Sequence, residues 1–303
     1  MVLSSKAYIK FIYYTGNTAI TDKITSYLKL ARLHRPVGIL LLLFPAWWGL
    51  GLASYGVPSN SLIILFALGA LLMRSAGCVY NDIIDMNLDA QVTRTSTRPL
   101  ATGELTKNEA LAFLILLLMG AAVILFFLPA PVILTGFLAL GLVLVYPWMK
   151  RITYWPQLFL GFTFNIGILM GWLCLKPLSM VPFLFYGGAI LWTIGYDTIY
   201  ALQDKEDDLL IGVKSTAILV SGAPRLFLSG VYGLALVFWG VGGAVANLGW
   251  IYWVFWVLIY LLIFWQVLTL REDVPDNCMK RFESNAYIGL LLFLGIVFSH
   301  LID

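Results

Sequence analysis

The chain places half of its sixteen Asp and Glu residues in two short segments. The first is Asn81-Asp82-Ile83-Ile84-Asp85-Met86-Asn87-Leu88-Asp89, and the second runs from Tyr196-Asp197 through Tyr200 and Asp204 to Asp207-Asp208. On a helix, Asn81 and Asp85 stand four residues apart, Asp82 and Asp85 three, and Asp85 and Asp89 four, so these side chains can point to one side. In the second segment Asp197 and Asp204 are seven apart and Asp204 and Asp208 four, which predicts a second shared face. Two carboxylate rows with an Asn carbonyl suit a hard, oxygen-preferring cation. Mg²⁺ is the natural candidate, because it keeps several waters and binds through a few carboxylates plus substrate phosphate oxygens. With no His close to either row and a single Cys, Cys78, ahead of the first, zinc is a poor fit. Each segment alone also reads as a helix end with solvated acids. Both together, in a chain that is only 12% charged, favour a shared cation.

Basic residues flank the acids. Arg94 and Arg98 follow the first segment, Lys150-Arg151 closes a later apolar run, and Lys214 follows the second segment in Gly212-Val213-Lys214-Ser215-Thr216. Acids ringed by bases suggest a Mg²⁺-diphosphate site, with the metal on one set of oxygens and Lys or Arg on the others. Each base taken singly is also explained by membrane topology. Arg74 is different. It lies seven residues before Asn81, two turns deeper on the same helix face, where an arginine is costly and marks function. It can pair with an acid or bind the carboxylate of a small substrate, and the second reading is the favoured one.

The elements that position these groups are membrane helices. The chain is 61% hydrophobic with a mean hydropathy of +0.90, beyond the range of soluble domains. Nine apolar runs fall near 37–56, 61–80, 109–128, 130–149, 156–175, 180–200, 225–247, 249–270 and 285–302, each long enough as a helix to cross about 30 Å of hydrocarbon. Barrel-type alternation is absent. All Lys and Arg except Lys176 fall on one side if the N-terminus is cytoplasmic, which fixes the expected orientation. The net charge of +3 follows from that asymmetry and implies no nucleic-acid partner. Cys78, Cys174 and Cys278 lack metal-ligand spacing. Residues 20–33 read as an amphipathic helix lying on the membrane, with Ile24, Leu28 and Leu30 opposed to Lys23, Lys29 and Arg32. The expected organisation is a cytoplasmic N-terminal segment over 1–36 and a single nine-helix membrane domain over 37–303. Neither a signal-type core nor an Arg-rich leader opens the sequence, so a bacterial inner membrane is expected, ahead of a mitochondrial one.

The two acidic segments resemble those of the UbiA superfamily of membrane prenyltransferases, whose members carry N-D-x-x-D-x-x-x-D and a second motif of the Y-D-x-x-Y-x-x-x-D type. A nearer resemblance is to the branch that prenylates 4-hydroxybenzoate. It is carried by Met73-Arg74-Ser75-Ala76-Gly77-Cys78, Arg94-Thr95 to Arg98-Pro99-Leu100, Tyr146-Pro147 through Lys150-Arg151, then Thr153, Pro156, Gln157 and Gly212 to Thr216, and it extends over about 30–300. One departure is His34, where many relatives have Asp.

The resemblance implies an all-helical, nine-span bundle around a central cavity, capped by two polar loops and open sideways to the bilayer for a polyprenyl chain. It implies that Asn81, Asp85 and Asp89, with Asp197, Asp204 and Asp208, hold Mg²⁺-diphosphate, and that Arg74, Tyr146 and Lys150 line the aromatic substrate. The helical spacing adds Asp82 to the metal set. Arg94, Arg98 and Lys214 are expected on diphosphate oxygens, and the ring faces of Tyr146, Tyr196 and Tyr200 against an allylic cation. Asp85, Asp204 and Arg74 are expected to matter most to turnover, with Asp204 able to accept the ring proton. The implied reaction joins a polyprenyl group from polyprenyl diphosphate to the carbon ortho to the hydroxyl of 4-hydroxybenzoate, in ubiquinone biosynthesis. Alternatives are another acceptor (haem, a naphthoate or chlorophyllide) or a cation transporter. Against transport, the acids sit at helix ends and not near the bilayer midplane.

Overall fold

A computed structural model describes residues 21–54 and 57–302. The first part of the expected N-terminal segment, 1–20, lies outside the described residues. Among the described residues every regular element is a helix. A short helix α1 (21–30) precedes α2 (Val37–Ser54), α3 (Asn60–Asp89), α4 (Lys107–Phe126) and α5 (Ala130–Ile152). Then follow α6 (Pro156–Asn165), α7 (Gly167–Leu173), α8 (Met180–Ala201), a 3₁₀ turn (Leu202–Asp204), α9 (Lys205–Ile211) and α10 (Thr216–Leu219). The chain ends in α11 (Pro224–Val245), α12 (Trp250–Leu268), α13 (Pro275–Glu283) and α14 (Asn285–Ile302).

Local chemistry sets the boundaries. Ser59 caps α3 by accepting from the Leu62 amide. Thr106 and Glu109 form a reciprocal capping box at the start of α4. Proline opens α6, α11 and α13, where its missing N–H costs nothing. Among the described residues eight stretches are long and apolar enough to cross a membrane, with α6–α7 and α13–α14 each counting as one. The remaining expected span, α8, has the length at 22 residues. Its Gly, Thr, Tyr and Asp residues dilute its hydropathy, because it runs through the interior with more than half of its residues buried and owes lipid little. For α8 the expected count of nine therefore rests on length alone.

α8 packs along α11 and α6, α2 against α7 and α14, α12 against α14, and α3 against α4. α2 and α7 touch backbone to backbone. A Cβ on Gly49 would collide with the Ile168 carbonyl, and one on Gly171 with the Ala46 carbonyl, so small residues are required there. The centre of the packed region is a cluster of buried rings. Trp48, Trp192 and Trp239 lie with centroids 5.4–6.0 Å apart. Their indole N–H groups donate to Gly289 O, Asn285 Oδ1 and Phe185 O respectively, which removes the penalty of burying them.

α3 has 30 residues. At about 1.5 Å per residue it outruns the roughly 30 Å hydrocarbon layer, so its last turns emerge from the membrane and carry the first acidic segment into the interfacial zone. α1 is tied down rather than simply resting on lipid. Leu30 is fully buried with Ala76, Val79, Leu100 and Leu105, while Ile24 and Leu28 stay exposed as an apolar rim.

Candidate active site

The first segment is one continuous helical face at the end of α3, as its spacing predicts. Asp82, Asp85 and Asp89 are buried, and each is held by bases. Lys150 Nζ donates to Asp85 Oδ2 at 2.5 Å, and Arg151 reaches Asp85 Oδ1 at 3.2 Å and the Ile84 carbonyl at 3.1 Å. Arg98 donates one nitrogen to Asp89 at 2.6 Å and to Asp82 at 3.0 Å. Arg32 donates to both Asp82 oxygens, at 2.9 and 2.7 Å.

The second segment departs from the expected continuous face. The helix breaks after Ala201 into a 3₁₀ turn, and α9 restarts at Lys205. Asp204 sits at the N-cap position of α9, with Glu206, Asp207 and Asp208 in its first turn. Acidic groups are favoured at a helix N-terminus and repel one another along a continued helix, which accounts for the restart. Tyr196, Asp197 and Tyr200 remain on α8. Burial pushes the Asp208 carboxyl up to about 6, and neighbouring Asp204 adds to the rise.

One loop joins the two segments. Arg94 forks onto Asp204, with Nε at 2.8 and 3.0 Å from its oxygens and a terminal nitrogen closing the same ion pair. It also donates to the Tyr200 hydroxyl at 2.7 Å and lies 4.9 Å over that ring. The Thr93 amide donates to Asp207 at 2.9 Å. Arg94 thus grips the second segment while Arg98, one turn on, grips the first.

Below them opens a cavity of about 1240 Å³. Arg74, Asn81, Asp82, Arg94, Arg98, Tyr146, Asp197, Tyr196 and Tyr200 line it, so both segments share one chamber. Its lower wall is apolar, built from Leu118, Ala122 and Leu125 of α4 and from Phe137, Leu140 and Val143 of α5. Arg74 sits deep in this chamber. Its Nε has no hydrogen-bond partner among the described residues, and its guanidinium lies 5.5 Å over the Phe164 ring. Gly38 makes room for it, since a Cβ there would stand 2.5 Å from Nε. Asn81 and Asp197, one from each segment, make no side-chain hydrogen bond or ion pair among the described residues, and both face the chamber.

Not every expected residue reaches the chamber. Asp85, Asp89, Lys150 and Asp204 lie outside its lining, in the ion-pair layer above it, and Asp208 lies outside the lining on α9. Among the described residues Lys214 pairs with no acid. Its ammonium donates to Ile152 O at 3.1 Å and its amide to Lys150 O at 2.8 Å, so it closes the C-terminus of α5. The Thr216 amide donates to Gln157 Oε1, which pins the same loop. Arg32 was not expected in the site. It stood in the sequence as one more base on a surface helix, and no spacing linked it to Asp82.

The residues fit a divalent cation that arrives with its substrate. The donors are oxygens only, and no three His, Cys, Asp or Glu converge to hold a metal among the described residues. The unpaired oxygens of Asn81 and Asp197, both on the chamber wall, suit Mg²⁺, which takes most of its ligands from phosphate and water.

The fold and chamber define an all-helical membrane protein with acids and bases at the mouth of an apolar pocket. The UbiA prenyltransferase family model matches residues 42–296, and the chain belongs to that family. It is 39% identical over 283 residues to a 4-hydroxybenzoate octaprenyltransferase of Hydrogenovibrio crunogenus, covering 92% of this chain and 99% of that one. It is 42% identical over 281 residues to the mitochondrial 4-hydroxybenzoate polyprenyltransferase of Caenorhabditis elegans, covering 91% and 79%. Among solved structures, the apo UbiA homolog from Aeropyrum pernix K1 superposes with a TM-score of 0.75 at 25% identity, over 86% of this chain and 97% of that one. A UbiA homolog from Archaeoglobus fulgidus bound to GPP and Mg²⁺ shares the fold at a TM-score of 0.66 and 19% identity, over 90% and 99%.

Proposed function

We propose that this protein transfers a polyprenyl group from polyprenyl diphosphate to the ring carbon ortho to the hydroxyl of 4-hydroxybenzoate, a step of ubiquinone biosynthesis, with Mg²⁺ on the diphosphate. The carrying observation is Arg74, a cation with an open donor deep in an apolar chamber, directly under a mouth lined with acids and arginines. A buried guanidinium needs an anion, and a benzoate carboxylate supplies one with two matched oxygens. The relatives named for 4-hydroxybenzoate prenyl transfer, similar over nearly the whole chain, support the same acceptor.

Asn81 and Asp197 would hold the cation, backed by Asp85, Asp89, Asp204 and Asp208. When bound, it supplies positive charge to the oxygens of the departing diphosphate. Arg94 and Arg98 add charge there by exchanging a carboxylate for a phosphate oxygen. The carbon–oxygen bond breaks and the electron pair leaves with the diphosphate. The allylic cation that remains meets the ring faces of Tyr146, Tyr196 and Tyr200, above the apolar walls of the chamber. Arg74 fixes the acceptor's carboxylate, so that the carbon beside the phenol oxygen meets the cation. That oxygen pushes electron density into the ring, the new carbon–carbon bond forms, and the same carbon releases its proton to the freed diphosphate at the mouth. The polyprenyl tail lies along α4 and α5 and leaves sideways into lipid. The segment before α2 and the acidic mouth face the cytoplasm of a bacterial inner membrane in this reading, with 37–303 acting as one nine-helix domain.

The test is product identification by mass spectrometry. Purified protein in lipid receives 4-hydroxybenzoate and a set of prenyl diphosphates, with and without Mg²⁺. Prenylated 4-hydroxybenzoate that disappears on metal removal is expected. Prenylation of haem, a naphthoate or chlorophyllide instead, or ion flux with no prenylated product, overturns the assignment.

A further inference from the structure

Asp82 is held by two arginines, where Asp85 is held by a lysine and an arginine and Asp89 by Arg98. Its buried carboxylate accepts three N–H bonds from two arginines, Arg32 and Arg98. Arg32 is one of two described non-glycine residues with positive φ, at 56°. It ends α1 in the left-handed conformation, its amide donating to Lys29 O at 3.0 Å and its guanidinium to the same carbonyl at 2.9 Å. A second guanidinium nitrogen carries both bonds to Asp82. α1 is itself anchored. Lys23 pairs with Glu109, Ser26 donates to Glu104 at 2.7 Å, and Tyr27 meets Phe113 edge-on at 5.1 Å. Arg32 therefore reaches Asp82 from a preset platform, ahead of the region that the family model covers.

We infer that Asp82 is the anchor of an arginine pair and not a metal ligand, and that Arg32 is a positioning residue that neutralises Asp82 so that Asp82 can release Arg98 to the diphosphate. The inference rests on the proposed function for the identity of that anion. Arg98 is shared between Asp82 and Asp89 through one nitrogen. With Arg32 present, Asp82 keeps a full partner when Arg98 leaves. Without Arg32, the departure of Arg98 strands a buried charge, so Asp82 retains Arg98 against the substrate.

The experiment is a cycle of Arg32→Ala, Asp82→Asn and the double variant, assayed for prenyl transfer in lipid with melting temperatures as the folding control. Arg32→Ala raises the KM for prenyl diphosphate about tenfold or more, while the KM for 4-hydroxybenzoate and the half-saturating Mg²⁺ concentration hold. Adding Asp82→Asn removes the stranded charge and returns the prenyl diphosphate KM to within about threefold of the Asp82→Asn value. Arg32→Lys keeps the charge but cannot serve Asp82 and the Lys29 carbonyl together, and gives an intermediate KM. A double variant as impaired as Arg32→Ala sinks the inference, as does a tenfold shift in half-saturating Mg²⁺ on Asp82→Asn. If the wild type yields no prenylated phenol, the proposed function fails separately. The same cycle is then read from calorimetric binding of geranyl diphosphate with Mg²⁺, where rescue by Asp82→Asn supports the arginine-pair role and its absence overturns it.

Discussion

Two thirds of α2 is buried, whereas in α5 only Val132 and Pro147 are. The molecule divides along that difference. On one side α2, α8, α11, α12 and α14 lock around the tryptophan cluster, with indole donors satisfied by carbonyls of neighbouring helices. On the other, α4 and α5 form a thin wall with lipid outside and the chamber inside. A packed region specifies one arrangement, because every side chain is constrained by others. A wall between two apolar spaces needs only to be apolar, so it can accommodate a chain of variable length. The chemistry sits on the seam. The first acidic segment ends α3, the second ends α8, and Arg94 and Arg98 bridge them. Each side can therefore be perturbed with little effect on the other, and three substitutions test that separation.

The largest effect belongs to the seam. Arg74→Ala removes a deep cation that faces the chamber with an open donor, and the KM for 4-hydroxybenzoate rises about a hundredfold, the worth of a desolvated charge-assisted contact. The KM for prenyl diphosphate moves less than about threefold, since Arg74 lies below the ion-pair layer. Steady-state kinetics with each substrate varied in turn makes the comparison. Equal rises in both constants remove the carboxylate role.

The packed side gives a smaller effect of a different kind. Trp192→Phe keeps most of the ring but deletes the 2.8 Å bond to Asn285 Oδ1, leaving a buried acceptor unpaired at a cost of about 1–3 kcal/mol. The thermal midpoint in detergent falls, while kcat per folded molecule stays within about twofold, because Trp192 does not line the chamber. A loss of kcat as large as the loss of stability would mean that the packed side also tunes the site.

The sequence made the bundle and the first acidic face readable for physical reasons. Membrane spans announce themselves by length and apolarity, and three- and four-residue spacings on a continuous helix translate directly into a face. What stayed hidden depended on contacts between distant segments. The break at Leu202–Asp204 cannot be separated, by spacing, from a helix that runs on through Asp208. The split of one span into α6 and α7 around Ile166 leaves no proline or charge to mark it. Lys214 reads as a phosphate ligand from its neighbours in sequence, yet it closes the end of α5. Arg32 meets Asp82 across fifty residues, and its own segment shows only an amphipathic helix.

The wall offers the subtlest test. Leu140 of α5 faces the chamber and belongs to neither the ion-pair layer nor the buried clusters. Leu140→Trp adds bulk along the proposed tail path while leaving the mouth untouched. Turnover with long prenyl diphosphates falls by several-fold, and turnover with geranyl diphosphate, whose tail is short, stays near wild type, a shift of about 1 kcal/mol in relative kcat/KM. The melting temperature holds, because a half-exposed lipid wall has no dense packing to violate. Competition between a long and a short donor in one reaction reads the ratio directly. An unchanged ratio would place the tail elsewhere in the bundle, and a lowered melting temperature would show that the wall is packed after all.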